Sequence, residues 1–100
     1  MNVIEGVLRD ERKRNLDMQN AYRNELSALP KGYIVIRKRN NKEYCYLNYR
    51  DGSRVRTEYV GVAADCLSEL EQKIKKRKHL ESLIKELNDE YKMICKIVKE

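Results

Sequence analysis

The sequence predicts an α+β fold, with an N-terminal helix, a three-stranded antiparallel meander and a long C-terminal helix. Three observations support this order. Residues 33–61, YIVIRKRNNKEYCYLNYRDGSRVRTEYVG, are rich in β-branched and aromatic residues and contain two turn signals. Residues 1–29 and 64–99 have no proline and carry apolar residues at helical spacing. No linker divides the 100 residues, so we expect one domain, 1–100.

The first helix has apolar ends and a charged middle. Residues 9–15 (RDERKRN) contain no apolar side chain. Asp10 and Arg14 are four residues apart, which can support a continuous exposed helix, and the alternative is a break. Pro30 and Gly32 should end the helix, because proline disfavours helical backbone in the residue before it.

Two turn signals divide the central segment into strands. Hairpin turns of two residues need positive φ, which Asn, Asp and Gly tolerate best. The predicted strands and turns are Tyr33–Arg39, Asn40-Asn41, Lys42–Arg50, Asp51-Gly52 and Ser53–Val60.

Turns of this length also fix which residues are paired. Val35 should face Tyr46 in the first hairpin, and Tyr44 should face Tyr59 in the second. Because side chains alternate along a strand, this register assigns every residue to one of two faces.

The two predicted faces differ in chemistry. The first carries the apolar side chains expected to pack on a helix, which are Ile34, Ile36, Cys45, Leu47, Tyr49 and Val60. The second, which we call the Tyr/Arg face, carries Tyr33, Val35, Arg37, Arg39, Lys42, Tyr44, Tyr46, Asn48, Arg50, Val55, Thr57 and Tyr59. This face has no carboxylate, because Glu43 and Glu58 fall on the first face.

Positive charge is concentrated in the same segment. The chain has a net charge of +6, and residues 31–60 hold eight basic and three acidic residues, a net +5. Such a local excess indicates an anionic partner, most simply nucleic acid. A membrane surface fits less well, because no strongly apolar amphipathic segment accompanies the cations.

Tyrosines between Arg and Lys on an open sheet can stack on bases while the cations bind phosphates. The alternative is ordinary sheet surface, in which tyrosines brace their cross-strand neighbours and arginine stems cover them. The predicted nucleic-acid-binding residues are Arg37, Arg39, Lys42, Tyr44, Tyr46 and Arg50.

The C-terminal helix should start near Asp65 or Ser68, either of which could be its N-cap. Its basic run, Lys73–His79, is interpreted as solvated surface. Further on, apolar residues separated by 4, 3, 4, 3 and 4 positions form a coiled-coil-like seam, which comprises Leu80, Ile84, Leu87, Tyr91, Ile94 and Val98. The seam could pack on the first helix or on a second copy in a homodimer.

Catalytic and metal-binding patterns are missing from the sequence. His79 is the single histidine, and Cys45, Cys66 and Cys95 show no metal-ligand spacing. We expect no cofactor and no small-molecule substrate, free thiols in a reducing cytoplasm, and Cys45 half-buried on the sheet. No apolar run is long enough to be a signal peptide or to span a membrane.

The strand segment, followed by a long charged helix, resembles a small uncharacterised domain of bacterial and phage-related proteins. More distantly, Tyr33–Gly61 is similar to the arm-type DNA-binding domains of phage and transposon integrases, which insert one face of a three-stranded sheet into the major groove. The resemblance assigns the DNA-facing side to Arg37, Arg39, Tyr44, Tyr46 and Arg50. This chain differs in its longer final helix, its preceding helix and the lack of a following recombinase domain.

Two functions are compatible with these features. The first is a non-enzymatic nucleic-acid-binding module. The resemblance implies that such a module would be an accessory factor of a phage or mobile element. The second is an oligomerisation or adaptor module in which the helices are the working surface and the sheet is a brace. An enzyme is least favoured, because no acid, base, nucleophile or metal constellation is visible.

Overall fold

The computed structural model describes residues 2–98, and these form the predicted α+β fold. The elements in chain order are α1 (Val3–Ser27), β1 (Tyr33–Arg39), β2 (Lys42–Asp51), β3 (Arg54–Val62) and α2 (Ala63–Ile97). The strands form one antiparallel sheet in the order β1-β2-β3, so β1 and β3 are its edges. The predicted end of the last helix, at residue 99, lies outside the described residues.

The chain forms two compact units. A sheet unit, Leu29–Arg77, contains the three strands and the first part of α2. A helical unit contains α1, up to Ala28, and the part of α2 from Lys78 onwards.

The first hairpin has the predicted register. Val35 is paired with Tyr46, and Asn40 and Asn41 form the turn with φ of 52° and 64°. Both turn residues are therefore in the left-handed region that a type I′ turn requires and that asparagine tolerates.

In the second hairpin, the predicted register of β3 against β2 was wrong by two residues. The turn lies at Gly52-Ser53 rather than Asp51-Gly52, and Tyr59 is paired with Tyr46 rather than Tyr44. A type II′ turn places glycine at the first of its two central positions, and Gly52 occupies that position with a φ of 64°. Because a shift of two preserves the alternation of side chains, the residues of β3 up to Tyr59 keep their predicted faces.

A β-bulge then connects β3 to α2. Tyr46 is paired with Tyr59, whereas Cys45 is paired with Gly61, so Val60 is an extra residue on β3. The strand ends at Val62 and α2 begins at the next residue, without a loop. Asp65 therefore lies in the first turn of the helix, and neither it nor Ser68 is the N-cap that the sequence predicted.

The core of the sheet unit lies between the first face of the sheet and the start of α2. Cys45 from β2 packs with Ala63 and Leu70 from α2, and all three are buried. Around them lie partly buried apolar side chains, which are Ile34, Cys66, Leu67 and Ile74. Cys45 has no exposed surface, so the prediction that it is half-buried was wrong. Its position in the central strand, directly under the helix, explains the difference.

Helix α1 is continuous through its charged middle. Asn2 caps its start, where the side-chain oxygen accepts a hydrogen bond of 2.8 Å from the backbone N–H of Glu5. Ion pairs join Lys13 to Asp17 and Arg14 to Glu11 across its exposed surface. The helix ends at Ser27, before Pro30, as the sequence predicted.

The apolar seam of α2 belongs to the helical unit and packs with α1 of the same chain. Leu80, Ile84 and Val98 are buried, and Leu87, Tyr91 and Ile94 are half-buried. The spacing allowed the seam to pack on α1 or on a second copy. Within the single chain it packs on α1.

Two buried polar side chains of α1, Asn15 and Gln19, form a hydrogen-bond relay that Asn15 connects to α2. Asn15 donates a hydrogen bond of 2.8 Å from Nδ2 to the backbone carbonyl of Leu87, and its Oδ1 accepts one of 2.7 Å from Nε2 of Gln19. Gln19 Oε1 in turn accepts a hydrogen bond of 3.2 Å from Arg23. This relay satisfies polar groups that would otherwise be buried without partners, and it fixes one register of α1 against α2.

We expect Gly32→Ala to destabilise the fold. Gly32 has a φ of +104°, and an added Cβ would overlap the backbone carbonyl of Asn48 and approach Tyr49 Cβ to 2.9 Å. The free energy of unfolding, measured by urea denaturation with circular dichroism, should fall by about 1–3 kcal/mol. Gly6→Ala, which meets open space within α1, is the matched control and should not reduce stability. Equal stability of the two variants would contradict the packing described for Gly32.

The relay gives a second prediction, that a double variant is more stable to unfolding than a single variant. Asn15→Leu leaves the Gln19 amide buried without its acceptor and should cost about 1–3 kcal/mol of unfolding free energy. Asn15→Leu combined with Gln19→Leu removes both buried polar groups and should recover part or all of that loss. The midpoints of urea denaturation show which of the two variants is more stable. A double variant that is less stable than the single one would contradict the relay.

Candidate nucleic-acid interface

The Tyr/Arg face consists of rows of residues that are paired across the strands. One row contains Tyr33, Asn48 and Thr57, and the next contains Val35, Tyr46 and Tyr59. A third contains Arg37, Tyr44 and Val62, and Arg39 faces Lys42 next to the first turn. Since α2 covers the opposite side of the strands, no element of the described sheet unit covers these rows.

The first row is held by side-chain hydrogen bonds. Thr57 Oγ1 donates to Asn48 Oδ1 at 2.7 Å, and Asn48 Nδ2 donates to Tyr33 Oη at 3.3 Å. These bonds connect all three strands and leave Asn48 engaged with its neighbours. At this end of the face, therefore, the polar side chains bond to one another.

Aromatic rings occupy the middle of the face. The Tyr59 ring lies 5.4 Å from that of Tyr46 and 6.3 Å from that of Tyr44, with interplanar angles of 58° and 51°. The Arg37 guanidinium lies 4.8 Å from the centre of the Tyr46 ring. A cation–π contact at such an exposed site contributes about 0.5–1 kcal/mol and holds the guanidinium in place.

Next to these rings, the face is hollow rather than flat. The hollow has a volume of about 680 Å³ and is lined by Arg37, Lys38, Arg39, Tyr44, Tyr46 and Tyr59. Three cations and three tyrosines therefore surround one concave space at the turn end of β1 and β2. Such a lining can bind an anionic, planar ligand through charge and ring contact together.

The carboxylates of the strands lie on the other side of the sheet. Glu43, Asp51 and Glu58 alternate to the face that α2 covers, and Asp51 forms an ion pair of 2.8 Å with Arg56 there. Among the described strand residues, therefore, no carboxylate shares the face of these cations, so this face attracts anions.

The structure brings together most of the predicted binding residues. Arg37, Arg39, Tyr44 and Tyr46 line the hollow. Lys42 is on the same face, paired with Arg39, whereas Arg50 is paired with Val55 at the opposite end of the sheet.

Sequence reasoning did not select two residues of the hollow. Tyr59 was assigned to the correct face, opposite Tyr44, but was not selected as a binding residue, and the structure pairs it with Tyr46. Lys38 alternates to the first face, yet it belongs to an edge strand and also lines the hollow. Strand alternation could have indicated Tyr59, but it could not have indicated Lys38.

The buried face below the hollow contains a thiol with altered acidity. Burial raises the pKa of Cys45 above its ordinary value of 9.0, and the neighbouring Cys66 raises this pKa further. Cys66 Sγ also donates a hydrogen bond of 3.2 Å to the carbonyl of Val62. All three cysteines are free thiols, as the sequence predicted.

Neither a metal centre nor a membrane span is found in the part of the chain that the structure describes. No group of three or more His, Cys, Asp or Glu side chains there could hold a metal ion. Within residues 2–98, neither helix is both long and apolar enough to cross a membrane.

Residues 7–72 match the sequence model of a family described as a domain of unknown function, DUF6788. The matched segment includes all three strands and therefore the whole Tyr/Arg face, whereas the seam residues of α2 lie beyond it. No curated protein and no solved structure matches the chain.

The raised pKa of Cys45 predicts lower stability at high pH. Below pH 9.0 the thiol is neutral in both states, and above it the unfolded chain loses the proton first. The free energy of unfolding should therefore fall by up to about 1.4 kcal/mol per pH unit until the folded pKa is reached. Urea titrations between pH 8 and 10 should show this decrease in the wild type and in Cys95→Ala, and a smaller one in Cys45→Ala. An equal slope in all three proteins would contradict the assignment.

Proposed function

The chain belongs to the DUF6788 family, and we propose that it is a non-enzymatic module that binds nucleic acid, most simply DNA, through the Tyr/Arg face of its sheet. The family match covers two-thirds of the chain and contains the complete face. The proposal is about this surface and does not depend on the seam of α2.

One observation carries the proposal, which is the separation of charge between the two faces of the sheet. Arg37, Arg39, Lys42 and Arg50 are exposed on the uncovered face, while the carboxylates of the strands are on the other. The tyrosine rings of the hollow lie between these cations, and Tyr59 is 54% accessible. Phosphates supply the anions that such cations bind, and bases supply the planar groups that such rings contact.

The biological setting and the location are inferred from other features of the chain. A role as an accessory factor of a phage or mobile element comes from the resemblance of the strand segment to integrase arm-type domains. A cytoplasmic location agrees with three free thiols, which persist in a reducing compartment.

An oligomerisation or adaptor module is the second candidate. Within the single chain, the α2 seam packs with α1. Large apolar side chains of the helical unit are exposed near the start of α1 and the end of α2, and these are Val3, Ile4, Val7, Met93 and Ile97. They are the observation that favours this candidate. Light scattering at several protein concentrations tests whether a dimer forms.

Paired double variants test nucleic-acid binding. Arg37→Ala with Arg39→Ala should lower the affinity for a short DNA duplex about tenfold or more at low salt, because two phosphate contacts are lost. The plot of log affinity against log salt should become less steep by about 1–2 units. Fluorescence anisotropy with a labelled duplex measures both quantities.

The matched control is Arg54→Ala with Arg56→Ala, which removes the same charge from the opposite face. This control should retain affinity and salt dependence close to those of the wild type. Undetectable binding of both duplex and single-stranded nucleic acid at low salt, or equal losses in the two double variants, would reject the proposed interface.

A further inference from the structure

The hollow of the Tyr/Arg face has the dimensions of a small-ligand site. Its volume of about 680 Å³ is within the range of pockets that enclose small molecules, roughly 300–1,000 Å³. A groove-binding element needs side chains that project outward to reach base edges. A concave site is better suited to a group that enters it than to the outer surface of a duplex.

Tyr59 provides an exposed ring in this hollow. Its contacts with Tyr44 and Tyr46 are tilted rather than parallel, and 54% of the residue stays accessible. A tyrosine held at its sides but still exposed is prepared to stack on a planar ligand, because little conformational entropy remains to be lost.

The neighbouring ring of Tyr46 already contacts a cation. Arg37 lies 4.8 Å from its centre, and Tyr46 is only half-exposed. Tyr59 is therefore the ring on which a base can stack, and Arg37 forms a wall of the same hollow. Lys38 and Arg39 also line the hollow, where they can contact phosphates.

In a double helix the faces of the bases are stacked on one another, and only their edges are accessible. A single strand can turn a base out and place its face on an aromatic side chain. We infer that the hollow binds one unstacked base of a single-stranded nucleic acid on Tyr59, while Lys38 and Arg39 contact the adjacent phosphates. This inference rests on the proposed function, since it specifies the nucleic acid that the same face binds.

Four labelled probes of about 12 nucleotides test the inference with the wild-type protein. They are oligo(dT), oligo(U), a duplex of the same length, and an abasic strand that retains the phosphates. One or both single strands should bind about tenfold or more tightly than the duplex and the abasic strand. The preferred single strand then identifies deoxyribose or ribose as the sugar.

Variants of Tyr59 provide the second test. Tyr59→Leu should reduce the affinity for the preferred single strand about tenfold, whereas Tyr59→Phe keeps the ring and should remain within about twofold of the wild type. Tyr33→Leu is the control and should retain the wild-type affinity, because Tyr33 is also exposed but lies outside the hollow. Circular dichroism establishes that each variant is folded.

The outcomes separate the inference from the proposed function. Duplex binding as tight as single-strand binding, or equal affinity for abasic and base-containing strands, would overturn the inference and leave the proposed function in place. An unchanged affinity of folded Tyr59→Leu for the single strand would do the same. Failure of the wild type to bind any of the four probes at low salt would reject the proposed function and the inference together.

Discussion

The burial of Cys45 and Leu47 in the central strand is the constraint on which the sheet depends. A three-stranded sheet has two faces, and in the sheet unit α2 covers only one. Each aliphatic side chain buried beneath that helix contributes about 1.5–3 kcal/mol, so the alternation of β2 decides which face is covered. Once Cys45 and Leu47 are buried on the face that α2 covers, Tyr44 and Tyr46 must lie on the other face. The chemistry of the exposed face is thus a consequence of core packing.

Alternation also explains why the candidate face could be predicted although the second register was wrong. The register of β3 differs by two residues from the prediction, and a shift by two moves no side chain to the other face. Asn40-Asn41 specified the first turn directly. The sequence did not reveal that glycine would take the first position of the second turn, or that Val60 would form a bulge. The bulge lies where β3 meets α2, and local sequence does not encode how the strand must meet that helix.

The helical unit shows a different limit of sequence reasoning. The spacing of 4 and 3 residues identified the apolar seam of α2, but the same spacing fits an intrachain and an interchain partner. On α1 the matching positions include Asn15 and Gln19, whose polar character made the middle of the helix look exposed. Their burial is possible because each finds a hydrogen-bond partner, and apolar periodicity cannot report that. The hollow could not be predicted either, because it depends on ring tilts and includes Lys38, which alternates to the other face.

The edge strands of the sheet carry cations on both sides. Arg37, Lys38 and Arg39 lie on β1, and Arg54 and Arg56 lie on β3. Unpaired strand edges are templates for pairing with another chain, and charged side chains are a common protection against aggregation. Two copies that approach edge to edge would bring like charges together at short range. The basic residues that suit this sheet to a polyanion therefore also keep it three strands wide and discourage fibril-like growth.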